Sequence, residues 1–162
     1  MIVVSNTSGI INLAAIDHLE LLHILYGKII IPDAVYHEIV VQGSGQSGAK
    51  EVQKSKWIDK RDLNNPALAR ALQIELDMGE ATAIALAVEL DADLLLIDER
   101  MGRTAASKFG LNFTGLLGVL VEAKSKRLIE SVKPLLDDLK TKAGFWISQP
   151  LYNKILHAAG EK

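Results

Sequence analysis

The chain has 162 residues, of which 49% are hydrophobic, and its formal net charge is −2. This length suits one domain with a substantial core, and the absence of cysteine excludes disulfide frameworks and thiolate metal sites. The charge lacks the overall basic excess that drives non-specific binding to nucleic acid, so any nucleic-acid chemistry must depend on local charge or bound metal.

The first predicted elements alternate between strand and helix. Residues 2–5 form a short apolar strand, and Ser8 is expected to cap the helix that follows. Asp17 is expected to cap a second helix, which ends at Gly27. The β-branched residues 29–31 then predict a second buried strand. This order is typical of a βαβ unit.

The same alternation continues through the rest of the chain. Pro32 suits the first turn of a helix that carries Glu38, and the glycine-rich residues 43–48 predict a mobile loop. Further helices are predicted over 66–76, 79–91, 100–109 and 116–124, with strands near 57–58 and over 94–97 and 112–114. Strands that alternate with helices predict an α/β fold, in which helices flank both faces of a central parallel sheet.

We expect a single domain over residues 1–162, with a helical C-terminal extension from about residue 115. The extension has more apolar helical surface than a small site requires, so part of it is a candidate homodimer interface. Phe145, Trp146 and Ile147 are candidates to anchor the last helix, either to the body of the domain or to a second copy. No segment approaches the roughly 18 apolar residues of a membrane span, and the start lacks a secretion signal, so we expect a cytoplasmic protein.

Polar side chains directly follow two of the predicted strands. Residues 5–8 (Ser-Asn-Thr-Ser) follow the first strand, and residues 98–100 (Asp-Glu-Arg) follow the strand over 94–97. In parallel sheets that are buried on both faces, ligands bind beyond the carboxyl ends of the strands. These two clusters therefore predict one functional site.

Each candidate side chain also has a structural interpretation. Glu80 has the spacing of a capping box with Asp77, and Asp98 could cap the helix that follows it. Glu38 could be a solvated residue at the margin of an apolar helix face, and Asn6 could form an Asx turn. If these side chains do converge, three carboxylates and an amide form an oxygen-rich site suited to Mg²⁺ or Mn²⁺. Such a site activates water and positions a phosphodiester for in-line attack.

Four segments together resemble the PIN-domain nuclease superfamily, and more closely its VapC-like branch. These segments are residues 2–8, residues 31–39, Gly79-Glu80-Ala81, and residues 94–99. The interval from Glu80 to Asp98 leaves room for one helix and one strand, as in that superfamily. The resemblance covers nearly the whole chain and implies a three-layer α/β/α fold.

The resemblance implies a metal-dependent ribonuclease, often the toxin of a toxin–antitoxin pair, with RNA as substrate and an antitoxin protein as partner. The four acidic positions of the superfamily fall on Asn6, Glu38, Glu80 and Asp98. Of these, the three carboxylates are the candidate catalytic residues, and Glu99 is a possible extra metal ligand. Thr7 or Ser8 takes the hydroxyl position that supports the first ligand, and both are candidates for contacting substrate.

The sequence departs from the superfamily at its first acidic position, where Asn6 stands in place of the usual Asp. An amide oxygen can coordinate a cation but carries no charge, so metal affinity should fall. Arg100 and Arg103 could reach a phosphate, or could form ion pairs with Glu99 or a neighbouring acid. Two functions therefore stay open: a Mg²⁺- or Mn²⁺-dependent ribonuclease, and a non-catalytic module that binds RNA or a protein partner.

Overall fold

The computed structural model describes all 162 residues and contains one sheet of five parallel strands. In chain order the strands are β1 (Val3–Ser5), β2 (Ile29–Pro32), β3 (Ile58–Arg61), β4 (Leu94–Leu96) and β5 (Phe113–Thr114). Their order across the sheet is β3-β2-β1-β4-β5. The predicted α/β fold with a central parallel sheet is confirmed.

The chain winds outward from β1 in two directions, first to β2 and β3 and later to β4 and β5. Val4 of β1 is in register with Ile30 of β2 on one side and with Leu95 of β4 on the other. The strand order therefore reverses between β1 and β4, and ligands of open α/β sheets bind at this switch point beyond the carboxyl ends. Asn6 follows β1 and Asp98 lies two residues after β4, so both flank the switch point.

The helices lie between and after the strands. They are α1 (Thr7–Ala15), α2 (Glu20–Tyr26), α3 (Asp33–Tyr36), α4 (Ala49–Lys54), α5 (Ala67–Leu72), α6 (Met78–Glu89), α7 (Arg100–Lys108), α8 (Leu116–Ser125), α9 (Lys133–Thr141) and α10 (Gln149–Ala158). A π-helical segment, His37–Gln42, continues directly from α3. None of the helices is long and apolar enough to cross a membrane.

The sheet separates two apolar cores. Adjacent residues of β1 point to opposite faces, so that Val3 belongs to the larger core and Val4 to the smaller one, and both are fully buried. The larger core includes apolar side chains of α1, α2, α8, α9 and α10, whereas α6 supplies five of the eleven buried residues of the smaller one. The result is three layers, with the helices after residue 115 packed on the larger core.

Two of the predicted helix starts are wrong. The first helix begins at Thr7, with Asn6 rather than Ser8 at the N-cap position and without a side-chain capping bond. Asp17 caps no helix; it adopts a positive φ of 59° in a turn, and α2 begins at Glu20. The predicted end of α2 at Gly27 is confirmed, because Gly27 has a φ of 77° at the C-cap.

Candidate active site

Asn6 begins the site at the end of β1. Its backbone N–H donates to the carbonyl of Leu96 at 3.0 Å, which ties it to β4, and the residue is 6% exposed. Since its side chain makes no capping bond, the amide is free to point elsewhere. Its Oδ1 lies 3.1 Å from the point at which a Cβ of Gly79 would stand. Asn6 therefore faces the start of α6.

Glu38 reaches the same place from the π-helical segment. Its Oε2 lies 2.9 Å from the Cβ position of Gly79, and it accepts a hydrogen bond of 2.9 Å from the Thr7 hydroxyl. Glycine at residue 79 leaves this space open, because a methyl group there would press against both Asn6 and Glu38. The structure thus brings Asn6, Thr7, Glu38 and Gly79 together.

Glu80 has two carboxylate oxygens in different situations. The capping box predicted with Asp77 is confirmed: Glu80 N–H donates to Asp77 Oδ1 at 2.8 Å, and Asp77 N–H donates to Glu80 Oε1 at 3.2 Å. The other oxygen, Oε2, is buried and has no hydrogen-bond partner. It lies 3.6 Å from the Cβ position of Gly102 on α7. Capping therefore accounts for the contact of Oε1 but not for the burial of Oε2.

The environment of Glu80 disfavours its charged form. Burial is the largest effect and raises its pKa to about 7; the charges of Asp77 and Glu99 add to the rise, and the hydrogen bond from the Asp77 backbone opposes it. An acid of this kind takes up a proton near neutral pH unless a positive charge approaches it. The carboxylate is accordingly suited either to proton transfer or to a cation.

Asp98 lies at the end of β4 and is held on one side by the start of α8. Its Oδ1 accepts the backbone N–H of Leu116 at 2.8 Å and lies 3.9 Å from Nη2 of Arg103. Burial raises its pKa, while the bond from Leu116, the charge of Arg103 and a hydrogen bond with the Ser8 hydroxyl lower it by less. Ser8 thus contacts Asp98, whereas Thr7 contacts Glu38.

Arg103 is fixed in place by several contacts. Its Nε donates to the Ile97 carbonyl at 3.1 Å, and its guanidinium carbon lies 5.7 Å from the centre of the Phe113 ring. A Cβ at residue 115 would collide with this guanidinium and would stand 2.5 Å from Asp98 Oδ1, so Gly115 is needed for the close approach. Of the two roles that the sequence left open for Arg103, the structure shows a pairing with a neighbouring acid, Asp98, and the side chain still keeps 40% of its surface exposed.

Glu99 and Arg100 lie at the rim of the site. Glu99 occupies the N-cap position of α7, and its charge acts on Glu80, whereas Arg100 is the first residue of the helix. Both side chains are exposed. Arg100 forms no ion pair, so it is free to meet a ligand from solvent.

Two cavities lie near the acidic residues. One, of about 540 Å³, is lined by sequence neighbours of the candidate ligands, among them His37 and Met78, but by none of the four ligands themselves. The other, of about 350 Å³, has Asp98 in its wall. The second cavity is therefore the one that opens onto a site residue.

The acidic residues lie at one edge of the sheet, but they do not form one tight group. No three His, Cys, Asp or Glu side chains stand close enough together to hold one ion. The sequence pattern indicates Asp77 only as a cap and gives Gly79 no role of its own. In the structure the Asp77 carboxylate and the open space at Gly79 both shape the site. The available signal was the glycine directly before Glu80, since a small residue beside a candidate ligand permits close approach.

Comparison with known families decides the assignment. The family model DUF3368, described as a PIN domain, matches residues 2–161. The chain belongs to the PIN-domain family. Among curated proteins, none matches the chain. The PIN-domain resemblance inferred from the sequence is confirmed, and with it a nuclease-type fold; the closer assignment to a VapC-like branch stays a prediction.

PIN domains generally depend on a divalent cation, so the residues present must be tested against one. The available donors are carboxylate and amide oxygens, which suit a hard dication, and Glu80 Oε2 is a buried oxygen that lacks a partner. These residues therefore fit such an ion in chemistry. The spacing fits less closely, because Glu38 bonds to Thr7 and Asp98 pairs with Arg103.

Proposed function

We propose that this PIN domain is a Mg²⁺- or Mn²⁺-dependent endoribonuclease that hydrolyses RNA phosphodiester bonds at the carboxyl edge of its sheet. The observation that carries the proposal is the buried, unpartnered Oε2 of Glu80. Leaving a buried polar atom without a partner costs about 1–3 kcal/mol, and more for a charged group. A bound cation removes this cost, and the family assignment gives the reason for the cation.

In this proposal the metal is held by oxygen donors from four elements of the fold. The donors are Asn6, Glu38, Glu80 and Asp98, with Glu99 as an extra ligand from the rim. When bound, the ion supplies a coordinated water of lowered pKa and a positive charge for the phosphate. Because Asn6 is neutral, the donor set has one negative charge fewer than the superfamily pattern, and binding should be weaker.

The chain's own residues then orient the reactants. Glu80 and Asp98 both have raised pKa values, so their carboxylates are better proton acceptors than an exposed acid and suit the orientation of the attacking water. The Thr7 hydroxyl fixes the position of Glu38. Arg103 and Arg100, with the hydroxyls after β1, are the candidate contacts for the phosphate backbone.

A second function is favoured by different observations. Asn6 lacks a charge, Arg103 stands 3.9 Å from Asp98, and no three acidic side chains stand in one group. Those features suit a catalytically weak or inactive PIN module that binds RNA or a protein partner. This module would keep the fold and the acidic edge but would not cleave.

A cleavage assay separates the two functions. Purified protein is incubated with a labelled single-stranded RNA over a titration of Mn²⁺ or Mg²⁺, comparing wild type with Asp98→Asn. The asparagine still accepts the Leu116 N–H, so the fold is retained while one carboxylate is lost. Asp91→Asn is the matched control, because Asp91 is exposed, precedes β4 at its opposite end, and has a φ of 49° that asparagine tolerates.

Under the nuclease proposal, wild type and Asp91→Asn cut RNA only with metal, and Asp98→Asn loses the activity. No metal-dependent cutting by any of the three proteins would support the binding module instead. RNA retention by a non-cleaving protein on a filter would then identify RNA as the bound partner.

The remaining parts of the proposal rest on the sequence. Chain length supports a single domain over residues 1–162, and the apolar C-terminal helices support a homodimer. Action in the cytoplasm is likewise an expectation from the sequence. The role of a toxin neutralised by an antitoxin protein rests on the resemblance alone. Induced expression in a bacterial host tests the toxin role, since wild type should arrest growth and Asp98→Asn should not. Growth that is equal for the two proteins would count against a toxin.

A further inference from the structure

Trp146 displays an aromatic ring at the surface beside the acidic site. The residue is 82% exposed, although an indole is among the largest side chains that folding can bury. Its neighbours are anchored: Ile147 is buried, and Phe145 is half-buried with its N–H donated to the Leu139 carbonyl at 2.9 Å. The backbone at Trp146 is therefore held by its neighbours while its ring stays in solvent.

The cavity of about 350 Å³ beside Trp146 reaches the candidate active site. Its wall includes Asp98 and Arg103 together with the aromatic residues Phe113, Phe145 and Trp146. Its size lies within the range of roughly 300–1,000 Å³ that is typical of small-molecule sites. The cleft thus combines aromatic rings with two charged side chains, Arg103 and Asp98, and Asp98 is one of the candidate metal ligands.

This combination matches one nucleotide of a single-stranded RNA. An unstacked base offers a flat face to an indole, and its phosphate carries the negative charge that a half-exposed guanidinium attracts. Aromatic rings and Arg also suit a protein interface, but the core of such an interface is depleted of Asp, and a second copy seated in this cleft would bury Asp98. Charge and shape therefore favour RNA over a second copy of this chain as the occupant.

We infer that Trp146 is a substrate-binding residue that stacks against a nucleobase adjacent to the phosphate held by Arg103. The inference rests on the proposed function for its substrate and adds a binding subsite to it. Stacking on an exposed indole is tolerant of base identity but requires an unpaired base. The subsite consequently selects single-stranded over double-stranded RNA.

The test uses the fluorescence of Trp146 itself. Trp57 is the only other tryptophan, and it stacks on His23 with the ring centres 5.1 Å apart, so Trp57→Phe leaves Trp146 as the sole reporter. The full chain carrying Trp57→Phe and Asp98→Asn is titrated with a short single-stranded oligoribonucleotide in Mg²⁺. The same RNA annealed to its complement is titrated in parallel.

The expected result is quenching by the single strand and much less quenching by the duplex. By fluorescence anisotropy of a labelled single strand, Trp146→Ala should weaken binding by about tenfold or more, whereas Trp146→Phe should stay close to wild type. Ile74→Ala is the matched control, because Ile74 is 86% exposed and does not line the cleft. Its RNA affinity should be unchanged.

Three outcomes would overturn the inference. They are the absence of quenching, an unchanged RNA affinity in Trp146→Ala, and a loss of dimer mass in Trp146→Ala by light scattering without any change in RNA affinity. Failure of the nuclease proposal looks different: quenching of the reporter variant with no cleavage by the wild type would support the stacking role and refute the nuclease. Cleavage with an unchanged KM in Trp146→Ala would support the nuclease and refute the stacking role.

Discussion

Replacing Glu80 with Gln tests whether its buried carboxylate is held at a cost in the metal-free protein. Glutamine has nearly the same shape and keeps a side-chain oxygen that can accept the Asp77 N–H, so the capping box survives. The variant removes only the charge and leaves an amide next to Gly102. Any large change in stability must therefore come from ionisation.

The direction and size of the effect follow from the pKa of Glu80. Burial raises it from 4.5 to about 7, so the folded state holds this proton more tightly than the unfolded state does. As the pH rises from 4.5 to 7 the unfolded chain ionises first, and the free energy of unfolding falls. At 1.36 kcal/mol per pKa unit the loss approaches about 3 kcal/mol by pH 8.

The assay is urea unfolding in EDTA at several pH values between 4.5 and 8. We expect the difference in unfolding free energy between Glu80→Gln and wild type to grow with pH toward about 3 kcal/mol in favour of the variant. Glu75→Gln controls for the loss of one negative charge near the start of α6, since Glu75 is exposed and forms no ion pair. A difference between Glu80→Gln and wild type that does not vary with pH would refute the reasoning.

Addition of metal extends the same test. At pH 8 a saturating divalent cation should raise the melting temperature of wild type, because it binds the folded state and satisfies Glu80 Oε2. The shift should be smaller in Glu80→Gln. Equal shifts in the two proteins would show that the cation binds elsewhere.

Three other variants, one of them with a control at Gly9, test the metal-facing edge and the C-terminal packing. Asn6→Asp should tighten Mn²⁺ binding in calorimetry, because it adds the missing carboxylate, and an unchanged Kd would remove Asn6 from the ligand set. Gly79→Ala should lower the free energy of unfolding in urea by about 1–3 kcal/mol, because its Cβ would stand about 3 Å from the side-chain oxygens of Glu38 and Asn6. Gly9→Ala is the control: its Cβ would meet nothing within 4 Å, so it should raise the free energy of unfolding by up to about 1 kcal/mol. Burial raises the pKa of Glu161, but hydrogen bonds from Lys124 and two backbone N–H groups lower it overall. Glu161→Ala should therefore lower the free energy of unfolding by about 1–3 kcal/mol at pH 7, and by less as the pH falls below 4.5.

The fold was predictable because its signals are local. The β-branched residues 29–31, the aliphatic residues 94–97 and the strand before Asn6 are each bounded by polar or helix-ending residues, and all three are buried strands in the structure. Alternation with helices then leaves few topologies open. The edge strand β5 was also predicted, within one residue of its observed start.

Helix starts were less predictable, because the capping residue depends on the turn that precedes it. Ser8 is a good capping residue by type, but β1 ends so close to it that the chain already enters the helix at Thr7. Asp17 adopts a positive φ in a turn, a conformation that a capping pattern does not reveal. The π-helical turn that carries Glu38 has no signal in apolar periodicity either, since π-bulges occur inside ordinary helical patterns.

The site was predictable as a location but not as a set of contacts. Strand ends placed Asn6 and Asp98 at one edge, and the capping pattern found Asp77 and Glu80. The sequence allows Arg103 to pair with a neighbouring acid but does not single out Asp98, because that contact depends on Gly115 leaving space for the guanidinium. Such a contact is set by the packing of α7 against the start of α8, and the sequence alone does not specify packing.

The amide at position 6 changes the balance between stability and metal binding at this edge. Its Oδ1 and Glu38 Oε2 both approach the start of α6, where a second carboxylate would repel the first in the absence of metal. A neutral amide avoids that repulsion. The remaining electrostatic cost arises at Glu80, whose pKa is already raised by burial and by nearby acids. The domain can then fold without metal, but it binds the ion less tightly. A cation that arrives together with the RNA phosphate offsets that lower affinity, so metal binding and substrate binding should be mutually reinforcing in this protein.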